Sequence, residues 1–108
     1  MRNKEILTLI KFEDECSKNK YTSFIFTDEN QNQDNYNIRF ALTFDSMRIY
    51  YDNIYDTVFF GNKNNCIEIK RIIKVEKDLD IEFGEKYVFH CKSRFGTKMR
   101  KFSVIAVR

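Results

Sequence analysis

From residue 21 onward, apolar side chains return at every second position, and a helical spacing does not reappear. Ile38, Phe40, Leu42 and Phe44 alternate with Arg39, Ala41, Thr43 and Asp45, and Tyr87, Phe89 and Cys91 alternate with Val88, His90 and Lys92. Successive side chains of a strand point to opposite faces, so this period selects half-buried β-strands. The chain's punctuation agrees. There is no proline, and the only glycines, Gly61, Gly84 and Gly96, all fall where turns are expected, as short connections between antiparallel strands require.

The period is different at the start. Residues 4–18 place Ile6, Leu7, Leu9, Ile10, Phe12 and Cys16 on one broad arc at helical spacing, with Asn3 as the expected N-cap and Asn19 near the end. Glu13, Asp14 and Glu15 are expected on the exposed side. A helix lying on a membrane carries a cationic polar face, so this one is expected to pack on a sheet. Strands are then expected over residues 21–27, 38–44, 67–75, 87–91 and 102–107, with two further segments, 47–51 and 55–60, whose pairing the sequence leaves open, and an acidic connection over 78–84. Arg71 falls on the apolar parity of its segment, which predicts a bulge or bend near Ile72. The last segment is apolar on both faces, as for a central strand. The fold class predicted is α+β: an N-terminal amphipathic helix packed on an antiparallel β-meander of five to six strands, able to curl into a half-barrel, with residues 1–108 forming a single domain.

Eleven Phe and six Tyr among the 108 residues provide a large hydrophobic payload for one core. Three cysteines without a C-x-x-C pair do not make a disulfide scaffold; reduced, buried thiols and a cytoplasmic location are expected. The apolar stretch at residues 6–10 is too short and too charged in its surroundings for a signal peptide or a membrane span.

Candidate chemistry fails at specific residues. Asp28, Asn30 and Asn32 recur like the start of an EF-hand calcium loop, but the sixth position is Gln33 where glycine is needed and the twelfth is Arg39 where a bidentate Glu is needed. A zinc site would have to use Cys16, Cys66, His90 and Cys91 together, and adjacent strand residues such as His90 and Cys91 point apart. No nucleotide-binding, esterase or metalloprotease motif is present. The expectation is therefore no catalytic residue, no metal and no cofactor. The helix followed by a bent meander resembles the Sm-like RNA-binding barrels, and Thr43-Phe44-Asp45-Ser46-Met47 is loosely similar to their first motif. That likeness covers a dozen residues at most. No glycine precedes the motif and residues 66–75 lack the Arg-Gly of the second, so no site is carried over from it.

Charge is distributed unevenly. Residues 84–108 hold seven basic residues against the single acid Glu85, whereas the first 83 hold 12 basic and 15 acidic ones. Lys92, Arg94, Phe95, Lys98, Arg100 and Lys101 are the candidate partner-binding residues: a basic hairpin with an aromatic suits an acidic protein surface or, alternatively, phosphates and stacked bases. The expected function is a small non-enzymatic binding protein that occupies a partner's surface, such as a phage or mobile-element inhibitor of a host protein, for instance a CRISPR nuclease. Nucleic-acid binding through the same hairpin is the alternative, and self-association through a strand edge is a further possibility; no membrane partner is expected.

Overall fold

Leu9, Phe12 and Cys16 recur at three and four residues and form the buried stripe of the only helix among the described residues, α1 (Asn3–Lys18). The computed structural model describes residues 2–29, 38–44, 47–62, 65–80, 84–93 and 98–107, with the backbone alone for 38–40, 79, 80 and 84. The stripe is narrower than the apolar arc of the sequence, for Leu7 and Ile10 remain exposed while Glu5 is buried. The N-cap is Arg2, in an extended conformation and without a side-chain cap, so Asn3 is the first helical residue. At the other end Asn19 is the C-cap and Lys20 turns left-handed at φ 55°. Tyr21 N–H donates to Cys16 O at 3.0 Å and Lys20 N–H to Ser17 O at 3.3 Å, the paired closure of a Schellman motif.

Among the described residues eight antiparallel strands follow: β1 (Ser23–Asp28), β2 (Ile38–Thr43), β3 (Arg48–Asp52), β4 (Thr57–Gly61), β5 (Cys66–Ile69), β6 (Ile72–Asp80), β7 (Gly84–Lys92) and β8 (Met99–Val107). They form a five-stranded sheet in the order β2-β1-β8-β7-β6 and a three-stranded sheet in the order β3-β4-β5. The expected class, a helix on antiparallel sheet, is what the chain adopts; the sheet does not close into a barrel. The meander runs in two sets of three, β3-β4-β5 and β6-β7-β8, and β8 then pairs along β1 from Ser23↔Val107 to Asp28↔Phe102.

The predicted bend near Ile72 proves larger than a bulge. Arg71 takes a left-handed φ of 55°, and the run expected as one strand over 67–75 divides there into β5 of the small sheet and β6 of the large one. The stretch expected as an acidic connection from residue 78 belongs to β6, with Asp78 opposite Lys86 and Asp80 opposite Gly84. Gly61 is the last residue of β4, not the first of a turn. Its φ is 142°, and a Cβ there would lie 2.1 Å from the Asn65 carbonyl oxygen, so only glycine fits.

The core lies between the two sheets and α1, which packs against β6 and β3. The Phe12 ring stacks on Tyr87 at 3.9 Å and 9°, and Phe60 meets Phe26 and Phe89 edge-on at 5.9 and 5.3 Å. β8 is buried on both faces, through Val104 and Ala106 on one and Ser103 and Ile105 on the other, as expected of a central strand. Among the described residues, no helix is long and apolar enough to cross a membrane.

Candidate binding surfaces

β7 and β8 pair Lys92 with Met99, Cys91 with Arg100 and His90 with Lys101. Strand alternation therefore puts Arg100 on the core-side face with Cys91, and Lys101 and Lys92 on the outer face. The Arg100 guanidinium lies 3.4 Å from Asp28 Oδ2 and 5.3 Å above the Phe102 ring. On the outer face Glu29 gathers Lys86 Nζ at 2.6 Å and Lys101 Nζ at 3.7 Å, and accepts a hydrogen bond from Ser103 Oγ at 3.1 Å. Lys92 and Lys98 are exposed. Ser93 and Lys98 tie the strand ends together, Ser93 N–H donating to Lys98 O at 2.8 Å and Lys98 N–H to Ser93 Oγ at 3.2 Å. Arg94 and Phe95 lie outside the described residues. The four described members of the predicted basic set are thus divided between two faces, with two of them compensated by acids near the end of β1. Asp28 and Glu29, the leading carboxylates of the calcium-like stretch, are held in these ion pairs; residues 30–37 lie outside the described residues.

Arg100 also lines a cleft of about 420 Å³ between β5 and the ends of β1, β7 and β8. Phe26, Ile69 and Cys91 are its buried apolar lining, and Phe102 is half-buried. Lys70, Arg71 and Lys92 complete its cations, while Asp28 and Glu68 are its acids.

A second surface was not apparent in the sequence as a site. The hairpin from β3 to β4 leaves Tyr50, Tyr51, Ile54 and Tyr55 exposed at 58, 43, 82 and 72%. Its connection is ordered by short-range bonds, with Ile54 N–H donating to Asp52 Oδ1 at 2.8 Å and Thr57 Oγ1 to the Tyr55 carbonyl at 3.1 Å. Asp56 is left-handed at φ 48°, and its carbonyl accepts the Ile72 N–H at 2.9 Å, which fastens the hairpin to the start of β6. The signal was available: adjacent tyrosines occupy both parities of β3, and a strand covered on one face can bury only one of them.

Of the three acids expected on the exposed side of the helix, Asp14 is exposed, whereas Glu13 and Glu15 are engaged. Glu13 accepts the Ile49 N–H of β3 and pairs with Arg48 at 3.9 Å. Glu15 accepts from Tyr87 O–H at 3.0 Å and from Lys77 Nζ at 3.2 Å. A hydrogen bond shared with Glu85 pulls the Glu15 carboxyl below its ordinary range, aided by Lys77 and Tyr87; the same shared bond, with burial, pushes Glu85 up. Glu85 Oε2 is buried with no hydrogen-bond partner among the described residues, which disfavours its charged form.

Cys16 and Cys91 are buried, and desolvation pushes both thiols up to about 12, far from the range of a nucleophilic thiolate. Cys66, expected to be buried with them, is exposed. His90 Nε2 lies 2.9 Å from Glu76 Oε2, and hydrogen bonds from Lys74 and His90 hold that carboxyl down to about 2. His90 and Cys91 point to opposite faces. Among the described residues, no cluster of three His, Cys, Asp or Glu side chains could hold a metal ion. Compared with known proteins, the chain matches no protein family, no curated protein and no solved structure.

Proposed function

We propose that this chain is a non-enzymatic binding protein that occupies the surface of a partner protein, and that the β3–β4 hairpin is its principal anchor. The supporting observation is the exposure of Tyr50, Tyr51, Ile54 and Tyr55 within six consecutive residues on a hairpin pinned to β6 by the bond from Ile72 N–H to the Asp56 carbonyl. Interface hot spots are enriched in tyrosine, which adds amphipathic area at little cost in side-chain entropy. Pinning the hairpin lowers the ordering cost of docking further. Lys92 and Lys98 add exposed positive charge at the β7–β8 ends, which fits a partner with an acidic surface.

The same ion pairs weigh against nucleic acid as the partner. Phosphate binding draws on cations that can exchange small counterions for backbone phosphates, and Arg100 and Lys101 already face Asp28 and Glu29. An inhibitor acting for a phage or mobile element on a host protein is one role such a binder would fill.

The test is affinity capture from a lysate of the organism that encodes the chain, followed by reconstitution of the captured protein with the purified chain. The double substitution Ile54→Ser, Tyr55→Ser removes two exposed side chains that carry little of the core, so the fold should persist by circular dichroism. Loss of each hot-spot side chain is expected to cost about 2 kcal/mol of binding. Reconstituted binding that is as tight with the double variant as with the parent chain would refute the anchor. Charge on the basic strands is best probed with Lys92→Glu and Lys98→Glu, because reversing Arg100 and Lys101 would set like charges against Asp28 and Glu29 and disturb the end of β1.

A further inference from the structure

The cleft beside β5 has a chemistry distinct from that of the docking hairpin. At about 420 Å³ it falls within the range of small-molecule sites, about 300–1,000 Å³. Phe26, Ile69 and Cys91 supply apolar wall, and the half-buried Phe102 presents a ring held beneath the Arg100 guanidinium. The rim is charged with one sign in excess. Of its acids, Asp28 faces Arg100 at 3.4 Å and Glu68 faces Lys70 at 3.6 Å. Among the described residues no carboxylate pairs with Arg71 or Lys92. Lys92 N–H donates to the Arg71 carbonyl at 3.0 Å, a backbone bond that fixes residue 71 beside the cleft, while the Lys92 side chain belongs to the outer face of β7, so Arg71 is the uncompensated cation of the rim.

An apolar ligand alone would leave that cation unanswered, and a bare inorganic anion would leave the apolar wall wet. We infer that the cleft binds an aliphatic monocarboxylate, with its chain against Phe26, Ile69 and Phe102 and its carboxylate at the Arg71 rim. The left-handed backbone of Arg71 provides a clean probe, because Arg71→Gly removes the guanidinium while suiting the φ better than any side-chain-bearing residue does.

The experiment is a titration of the whole ¹⁵N-labelled chain with sodium octanoate, 1-octanol and sodium phosphate, followed by amide chemical shifts. Octanoate is expected to move the signals of residues 67–71, 91–93 and 100–103 saturably. Octanol is expected to bind about tenfold more weakly or worse, Arg71→Gly to weaken octanoate about tenfold, and phosphate to produce no saturable change, as the loss of one charge-assisted contact predicts. The inference is overturned if octanoate gives no saturable shift, if its shifts fall on residues 50–55 instead, if octanol binds as well as octanoate, if phosphate reproduces the octanoate shifts, or if Arg71→Gly binds octanoate unchanged.

Discussion

Lys20 occupies the position where a helix ending of this kind ordinarily has glycine. Its φ of 55° sets the Cβ against its own backbone, a cost of about 1–2 kcal/mol for a residue with a side chain, which outweighs the extra freedom that glycine gains in the unfolded chain. Lys20→Gly should therefore stabilise the protein by roughly 0.5–1 kcal/mol, read as a higher urea midpoint; a lower midpoint would mean that the Lys20 side chain has a role the closure does not show. Glu85 makes a prediction in pH. Its carboxyl is raised by the bond to Glu15 and by burial, so the folded state keeps a proton that the unfolded state has released. Stability from this group is fully present below the ordinary carboxylate range and is lost as pH rises through the raised value. Glu15 runs the other way, contributing above its ordinary range and losing that contribution as pH falls through its lowered value. Glu85→Gln can still donate to Glu15 but cannot ionise. Relative to the parent chain it should gain stability as pH is raised from about 4.5 to 7, and parallel urea-unfolding profiles for the two proteins would show that the Glu85 carboxyl is not raised by the fold.

The helix is held as an element by three different kinds of contact: the Phe12–Tyr87 stack, the Glu15 cluster over β6 and β7, and the Glu13 carboxylate on the Ile49 amide of β3. Of these the stack dominates. Phe12→Ala should cost about 3–5 kcal/mol, and a loss of under 1 kcal/mol by urea denaturation would place the helix's anchorage elsewhere. Reading elements from the sequence works where local period decides the structure. In β2 the exposed Ala41 and Thr43 alternate with the half-buried Leu42, and Phe44 beyond them is buried, while α1 shows its spacing of three and four because one stripe of it is buried. What the period does not carry is which strand lies beside which. The turn between β3 and β4 rests on Asp52 and Asp56, with no glycine to mark it, and the division at Arg71 looks like a local parity fault until the partners of β5 and β6 are known. The candidate surfaces divide in the same way. The basic residues were visible as a run, but their distribution over two faces, and the acids waiting at Asp28 and Glu29 more than 70 positions away in the chain, depend on β8 pairing with β1. Glu13 and Glu15 read as solvated for the same reason: their partners come from distant strands.

At the scale of the whole molecule, two sheets and a helix share one core, but the two proposed surfaces belong to different parts of it. The tyrosine hairpin is built by β3 and β4, whereas the cleft needs β5 of one sheet and β1, β7 and β8 of the other. Binding at the hairpin and binding at the cleft are thus separable by substitution, Ile54 and Tyr55 against Arg71. The placement of β8 between β1 and β7 has a further consequence for how the molecule is made. As the chain is synthesised, the β1–β2 and β6–β7 hairpins can each form early, but until residues 99–107 arrive they have no strand in common, and two unpaired edges face an empty lane. Closing that lane is a long-range event, slow relative to hairpin formation. During the delay the lane accepts any suitable extended segment, including the same strand from a second copy. Crowded synthesis or refolding at high concentration should therefore favour exchanged dimers, joined not through either proposed binding surface but through the strand that completes the larger sheet.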